Sequence, residues 1–207
     1  MDDELDKHPI YLTTTNNILI KRLKGRDGME AEIPVDAYLY REKVMVWEEA
    51  QANQLYQRGA FGKPLSGGKL QLAPVEALYL LDGGKIRVID REMGERLKFG
   101  ELCTRLSRRD PELMLKYAVY ADLRSRGYVV KTGLKFGAHF RVYERGDKPG
   151  ETHSKYIVHA IPEGSRFTPT ELARAVRLAH SVRKSMLFAV VDDEGDVTYY
   201  SLSRERP

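Results

Sequence analysis

The sequence predicts a mixed α/β fold of the α+β kind, with a small N-terminal domain over residues 1–108 and a C-terminal domain over residues 109–207. Three observations support this prediction. Short apolar runs alternate with turn residues, as strands do. Several segments open with helix-capping residues. The polar stretch Ser107-Arg-Arg-Asp-Pro111 interrupts the pattern where the domains would meet. Because 42% of the residues are hydrophobic and 31% are charged, we expect globular units that contain both helices and strands.

The N-terminal elements are predicted from apolar runs and the residues that break them. The runs expected to form strands of a small sheet are Ile18-Leu-Ile20, Ala31-Glu-Ile33 and Val44-Met-Val46. A helix is expected from Trp47 to Arg58, with Gly59 as its stop. The segment 61–68 is too rich in Gly and Pro to continue either element, so we expect a loop there.

Three further helices are predicted from their first residues. Ala73-Pro-Val-Glu76 opens a helix that should run to Leu81, and Asp110-Pro-Glu112 opens one that should run to Arg126. Thr168-Pro-Thr-Glu171 is a capping box with proline at the first helical position. Its helix should reach Lys184 or Ser185.

Composition narrows the classes of function. The single cysteine, Cys103, excludes an internal disulfide framework and a Cys-rich zinc site. The acidic first residues do not form a signal peptide, and no apolar run approaches the ~18 residues of a membrane span, so we expect a cytoplasmic protein without a membrane partner. A net charge of +4 permits binding to a polyanion. The basic residues that cluster in the C-terminal half are Arg141, Arg145, Lys148 and Lys155.

Two expected strands and one helix place possible catalytic groups in the last third of the chain. The strands Phe140-Arg-Val-Tyr143 and 155–161, joined by a polar loop, would bring Tyr143 and His153 toward the same end of a sheet. On the predicted helix after Thr168, the seven-residue spacing of Arg177 and Lys184 places both on one face. That face would present two cations to a phosphate.

These residue types suit metal-free cleavage of RNA. Such cleavage needs a base for the 2′-hydroxyl, an acid for the leaving 5′-oxygen and a cation for the phosphorane. A histidine titrates near neutrality, and a tyrosine with a reference pKa of about 10 needs nearby cations to act as a base. On residue type alone the alternatives stay open. Tyr143 would suit a half-buried core position, His153 would suit the surface, and Lys184 would suit the end of a helix. Three other histidines are equally eligible as the general acid: His139, His159 and His180.

Longer motifs carry a family resemblance. They are Asp122-Leu-Arg-Ser-Arg-Gly-Tyr-Val-Val-Lys-Thr-Gly133, Phe140-Arg-Val-Tyr143-Glu-Arg-Gly146, His153-Ser-Lys-Tyr156 and His180-Ser-Val-Arg-Lys184. Together they resemble the catalytic domain of archaeal tRNA-splicing endonucleases from Tyr117 to Tyr200. The resemblance implies that Tyr143 is the general base, His153 the general acid and Lys184 the transition-state stabiliser. It implies neither a cofactor nor a metal.

The resemblance also implies a substrate and partners. The substrate is precursor tRNA with a bulge–helix–bulge junction, cut to leave 2′,3′-cyclic phosphate and 5′-hydroxyl ends. Arg177 matches an arginine that clamps a flipped-out base. The loop Asp192-Asp-Glu-Gly-Asp196 corresponds to an assembly loop that contacts a neighbouring subunit, and its carboxylates are Asp192, Asp193, Glu194 and Asp196. Two cut sites call for an oligomer, either a homotetramer or a heterotetramer with a non-catalytic paralogue.

Three alternatives remain open at this point. The chain would be a non-catalytic subunit of the same assembly if the three residues were not used. It would be a metal-dependent nuclease of the restriction-endonuclease type, whose fold is expected for the C-terminal domain, if carboxylates such as Asp122 and Glu144 held a divalent ion. It would be a plain RNA-binding module if no cleavage occurred.

Overall fold

The computed structural model describes residues 34–134 and 137–204. Within these ranges the chain forms eleven strands and five helices, and the predicted mixed α/β class is confirmed. The predicted strands Ile18–Ile20 and Ala31–Ile33 lie outside the described residues. In the described ranges, no helix is long and apolar enough to cross a membrane.

The first sheet is formed by the N-terminal half of the described chain. Its strands are β1 (Val35–Tyr40), β2 (Lys43–Val46), β3 (Lys63–Pro64), β4 (Leu70–Leu72), β5 (Ile86–Asp90) and β6 (Arg96–Leu97), in the order β3-β4-β2-β1-β5-β6. β1 and β5 run parallel, and the other neighbours are antiparallel. The strand predicted at Val44–Val46 is confirmed as the body of β2. The segment predicted as a loop contains the two-residue strand β3.

Three helices accompany this sheet: α1 (Glu49–Gly59), α2 (Pro74–Asp82) and α3 (Phe99–Ser107). α1 starts later than predicted because the side chain of Glu48 caps it, accepting hydrogen bonds from two backbone N–H groups at 2.8 and 2.9 Å. The predicted start of α2 is confirmed, since Glu76 accepts a hydrogen bond from the Ala73 N–H at 2.8 Å. α3 was not predicted. Its cap is the Glu101 carboxylate, which accepts from the Lys98 N–H at 2.7 Å.

The second sheet is formed by the C-terminal half. Its elements are α4 (Leu113–Ser125), β7 (Val129–Thr132), β8 (Phe140–Tyr143), β9 (Tyr156–Pro162), α5 (Pro169–Ser181), β10 (Ser185–Val191) and β11 (Val197–Leu202). The strand order is β11-β10-β9-β8-β7. β9 and β10 are parallel and are joined through α5, and the other neighbours are antiparallel. α4 begins at Leu113, later than the predicted cap at Asp110, because residues 111 and 112 form a turn.

Helices cover both faces of the second sheet. Alternate strand residues such as Val142 and Val158 belong to a core that also contains Tyr120 of α4. The opposite side chains, including Ile157 and Met186, pack with Ala179 of α5. The period-2 pattern of the strands therefore buries one set of side chains under each helix.

Two cations of the second half hold the end of α1. Arg124 of α4 donates to the Gly59 carbonyl at 3.1 Å, and the Lys131 ammonium of β7 donates to the carbonyls of Ala60 and Gly62, each at 2.6 Å. Lys131 also pairs with Glu76 of α2 at 3.2 Å, and the two side chains are only 13% and 4% exposed. One apolar core includes residues of both sheets. The domain boundary near residue 108 stays a prediction.

Candidate active site

The predicted catalytic residues lie at strand ends that meet at one edge of the second sheet. Tyr143 is the last residue of β8, His153 lies three positions before β9, and Lys184 immediately precedes β10. Parallel β9 and β10 start at the same edge, and antiparallel β8 ends there. Two backbone hydrogen bonds fix this edge: the Lys155 N–H donates to Val142 at 2.9 Å, and the Ser185 N–H donates to Lys155 at 3.0 Å.

Lys184 lies in the turn after α5. The helix ends at Ser181, so the prediction that it reaches Lys184 or Ser185 is wrong, and so is the shared helix face of Arg177 and Lys184. The turn has the hydrogen bonds of a Schellman motif, with Arg183 N–H donating to His180 and Lys184 N–H donating to Ala179. Arg183 takes the left-handed backbone conformation, with φ of 54°.

The amine of Lys184 lies beside the segment that carries His153. Its Nζ donates to the carbonyl oxygen of Ser154 at 2.6 Å. Burial lowers the pKa of Lys184, and repulsion by the Arg141 guanidinium lowers it further. The lysine is thus tied to the backbone of the residue that follows His153, by a contact between residues 30 positions apart.

Tyr143 is buried, with 3% of its surface exposed. The guanidinium carbon of Arg141 lies 5.8 Å from the centre of the Tyr143 ring. The two residues are two positions apart on β8, so their side chains lie on the same face of the sheet. Arg145, another of the clustered basic residues, lies instead over the Tyr128 ring at 5.7 Å. Arg141 is therefore the cation that the structure places beside both Tyr143 and Lys184.

The four histidines in the described part of the chain fall into exposed and half-buried groups. His153 and His180 are exposed. His139 and His159 are half-buried and lie edge to face, with ring centres 5.3 Å apart. Burial lowers the pKa of both. Nδ1 of His139 accepts a hydrogen bond from the Ala160 N–H at 3.0 Å, which gives that ring a role in holding β9.

Arg177 lies exposed on α5. It precedes Lys184 by seven residues, and Lys184 lies in the turn that follows α5. Its role as a base clamp stays a prediction.

The acidic loop is a tight hairpin turn between β10 and β11. Asp192 is used locally: its Oδ1 accepts hydrogen bonds from the N–H groups of Glu194 at 3.0 Å and Asp196 at 2.8 Å. Asp193, Glu194 and Asp196 are exposed. The carboxylates open to a partner are thus these three, and their assembly role stays a prediction.

The carboxylates considered for a metal-dependent nuclease have other partners. Asp122 forms an ion pair with Arg126 at 2.8 Å and accepts a hydrogen bond from the Tyr199 hydroxyl at 2.8 Å. Glu144 is paired with Lys155. Within residues 34–134 and 137–204, no group of three or more His, Cys, Asp or Glu side chains is placed to hold a metal ion.

A basic cleft of about 720 Å³ opens beside Lys184. Its lining residues carry basic or hydroxyl side chains, and they are Lys155, His180, Ser181, Arg183, Lys184 and Ser185. Sequence analysis singled out Lys184 and the basic character of Lys155 but assigned no role to Arg183. The left-handed backbone of Arg183 has no sequence signal, because glycine is the usual residue at that position.

Comparison with protein families shows to which family the chain belongs. Residues 35–103 match the family described as tRNA intron endonuclease, N-terminal domain, and residues 113–199 match tRNA intron endonuclease, catalytic C-terminal domain. The chain belongs to the tRNA intron endonuclease family. This is a family of enzymes, and the segment matched to its catalytic domain contains Tyr143, His153 and Lys184.

Individual relatives carry the name tRNA-splicing endonuclease. The protein of Thermococcus gammatolerans is 47% identical over 165 residues, which cover 80% of this chain and 95% of the relative. That of Thermococcus onnurineus is 44% identical over 169 residues, covering 82% and 95%. That of Methanococcoides burtonii is 41% identical over 186 residues, covering 88% of this chain and 52% of the relative. This tRNA intron endonuclease family member thus spans about half of the Methanococcoides protein and nearly all of each Thermococcus protein.

Proposed function

We propose that the chain is a catalytic subunit of a metal-independent endoribonuclease that excises introns from precursor tRNA at bulge–helix–bulge junctions. Family membership supports tRNA splicing as the process. The observation that carries the proposal is the 2.6 Å hydrogen bond from Lys184 Nζ to the Ser154 carbonyl. This bond connects a cation to the residue that follows His153. It lies at the edge of the sheet where β8 ends with Tyr143.

In the cleavage reaction each of the three residues has one role. Tyr143 takes the proton of the 2′-hydroxyl, and the 2′-oxygen forms a bond to phosphorus. Lys184 stabilises the extra negative charge of the phosphorane. The bond from phosphorus to the 5′-oxygen then breaks, and His153 gives that oxygen its proton. The products carry a 2′,3′-cyclic phosphate and a 5′-hydroxyl.

The burial of Tyr143 sets a condition on this mechanism. With 3% of its surface exposed, the side chain meets a 2′-hydroxyl only after a neighbouring group moves. Arg141 is the neighbour best suited to move, because its guanidinium lies over the ring and would be drawn to an RNA phosphate. We propose that substrate binding shifts Arg141 and uncovers the phenol.

Two cuts in one precursor need two active sites, so we propose an oligomer. A homotetramer and a heterotetramer with a non-catalytic paralogue both satisfy this requirement. The exposed carboxylates Asp193, Glu194 and Asp196 supply a subunit contact, and Arg177 supplies a stacking partner for a bulge base.

Cleavage of a bulge–helix–bulge precursor in EDTA tests the proposal. We expect two cuts with cyclic phosphate ends, and a loss of rate of about 10²–10⁴-fold in Tyr143→Phe and His153→Ala. Lys184→Ala should lose about 10²–10³-fold. Lys63→Ala, which removes an exposed lysine of β3, is the control and should cut at the wild-type rate.

The other outcomes identify the alternatives. If Lys184→Ala cuts as fast as the wild type, the lysine has no catalytic role. If the chain cuts only after a second family member is added, the enzyme is a heteromer. If cleavage requires added Mg²⁺, the metal-dependent mechanism replaces the one proposed here.

A further inference from the structure

The basic cleft beside Lys184 has the composition of an anion site. Each of its six lining residues carries a basic or a hydroxyl side chain. We propose that this cleft binds a backbone phosphate of the RNA next to the phosphate that is cut, with Arg183 as the main ligand. The identity of the RNA rests on the proposed function, whereas the phosphate site rests on the cleft itself.

Three of the five residues that line the cleft with Arg183 already use their side chains in contacts within the chain. Lys155 is already paired with the Glu144 carboxylate. The Ser181 hydroxyl donates to the Leu178 carbonyl at 2.7 Å, and the Lys184 amine donates to Ser154. Arg183 is exposed, and its planar guanidinium can give two parallel hydrogen bonds to one phosphate.

The backbone of Arg183 is the second, independent observation. Its φ of 54° lies in the left-handed region, where a side chain is strained and where helices usually place glycine. Arg41 and Ala60 have the same backbone conformation, and of these three residues it is Arg183 that lines the cleft. A glycine would end α5 equally well, so helix termination does not explain the arginine.

Two of the cations that line the cleft, Arg183 and Lys184, are consecutive residues. Under the proposed function Lys184 acts at the scissile phosphate. The residue before it then faces a neighbouring phosphate of the same strand, and this second contact would hold the strand in register for cleavage.

The variant Arg183→Gly separates binding from folding, because the two readouts should move in different directions. Glycine relieves the left-handed strain but also gives the unfolded chain more freedom, so Tm should stay unchanged or rise by up to about 4 °C. Binding should weaken, by about tenfold in Kd at low salt, because a charge-assisted phosphate contact is lost. Arg183→Lys keeps the charge but cannot give two parallel hydrogen bonds, so it should keep the salt dependence of the wild type and lose part of the affinity.

A matched control is available in the same chain. Arg41 is exposed, also has a left-handed backbone, with φ of 55°, and lies in the turn between β1 and β2. Arg41→Gly therefore removes the same charge and relieves the same strain far from the cleft in sequence. It should behave as Arg183→Gly does in Tm and as the wild type does in binding.

The measurement is the salt dependence of binding to a bulge–helix–bulge RNA with 2′-deoxy residues at both cut positions, which prevents cleavage. Each phosphate contact contributes about 0.7–0.9 to the slope of log K against log salt concentration. Arg183→Gly should reduce that slope by this amount, and Arg41→Gly should not. Methylphosphonate substitution next to the cut should weaken the wild type but not Arg183→Gly.

Three outcomes decide the matter. An unchanged slope in Arg183→Gly overturns the phosphate site while leaving the proposed function untouched. A weakened oligomer with an unchanged slope overturns it too, and would assign the cleft to the acidic loop of another subunit. A reduced slope in a chain that never cleaves precursor tRNA supports the phosphate site and rejects the proposed function.

Discussion

Breaking the buried ion pair between Lys131 and Glu76 should cost a large part of the stability of the fold. Lys131→Met removes an ammonium that donates to two carbonyl oxygens at 2.6 Å and to Glu76 at 3.2 Å. The Glu76 carboxylate, 4% exposed, would then lie buried without its cation. One of its oxygens would still accept the Ala73 N–H at the start of α2.

The expected loss follows from the burial of the carboxylate. Removing one partner of a buried ion pair costs about 3–5 kcal/mol, because an uncompensated charge stays in the interior. This is a large part of a typical free energy of unfolding of about 5–15 kcal/mol. For a chain of this size it corresponds to a fall in Tm of about 6–20 °C. Glu76→Gln in the same chain should recover about 1–3 kcal/mol, because a neutral amide tolerates burial and still caps α2.

Urea unfolding followed by circular dichroism, at one protein concentration, measures the two single variants and the double variant. Lys155→Met is the matched control, because Lys155 also pairs with a glutamate but the side chains are 53% and 43% exposed. It should cost less than about 1 kcal/mol. A loss below about 1 kcal/mol in Lys131→Met, or strictly additive effects in the double variant, would refute the reasoning.

Three other perturbations have definite expected outcomes. Tyr120→Phe should raise Tm by about 2–4 °C in a thermal melt. The buried Tyr120 hydroxyl has no hydrogen-bond partner in the described part of the chain, so its removal should raise the free energy of unfolding by about 1 kcal/mol. Burial lowers the pKa of His139 and His159, so the unfolded state binds more protons below about pH 6.5. The free energy of unfolding should therefore fall from pH 7 to pH 5, and His159→Phe should reduce that fall; an equal fall in both proteins would contradict this origin. Glu144→Gln should tighten binding of the uncleavable RNA by a few-fold at low salt, because it releases Lys155 from its ion pair; unchanged affinity would show that Lys155 does not meet the RNA.

Helix boundaries were predictable from sequence where a cap uses its usual residues, and the predictions were wrong elsewhere for identifiable reasons. Thr168 and Glu171 form the predicted capping box at the start of α5, with the Thr168 N–H donating to the carboxylate at 2.7 Å. α3 escaped prediction because it begins after Lys98 and contains Gly100 in its first turn. The end of α5 was placed too late because Arg183 occupies a position that usually announces itself by glycine.

The candidate site was predictable in its residue types more than in its geometry. Metal-free chemistry calls for a base, an acid and a cation, but choosing His153 over the other histidines depended on family motifs. The contact between Lys184 and Ser154 joins two loops that only the parallel pairing of β9 and β10 brings together. The choice of Arg141 over Arg145 depended on which side chain lies over Tyr143, which sequence spacing does not determine.

A row of three cations, Lys131, Arg141 and Lys184, connects the core of the fold with the proposed site. Lys131 and Arg141 lie directly opposite each other on β7 and β8, a placement that is unfavourable for like charges. Burial lowers the pKa of Lys131 and of Lys184, and the Arg141 guanidinium adds to the shift in each.

At one end of this row, the buried carboxylate of Glu76 compensates the charge of Lys131. Nε of Arg141 is buried without a hydrogen-bond partner among the described residues. Replacing Arg141 by a neutral residue would therefore remove a like-charge repulsion from this part of the sheet. Under the proposed function the missing partner is the RNA phosphate, so part of the free energy of substrate binding is the relief of a repulsion that the folded chain maintains.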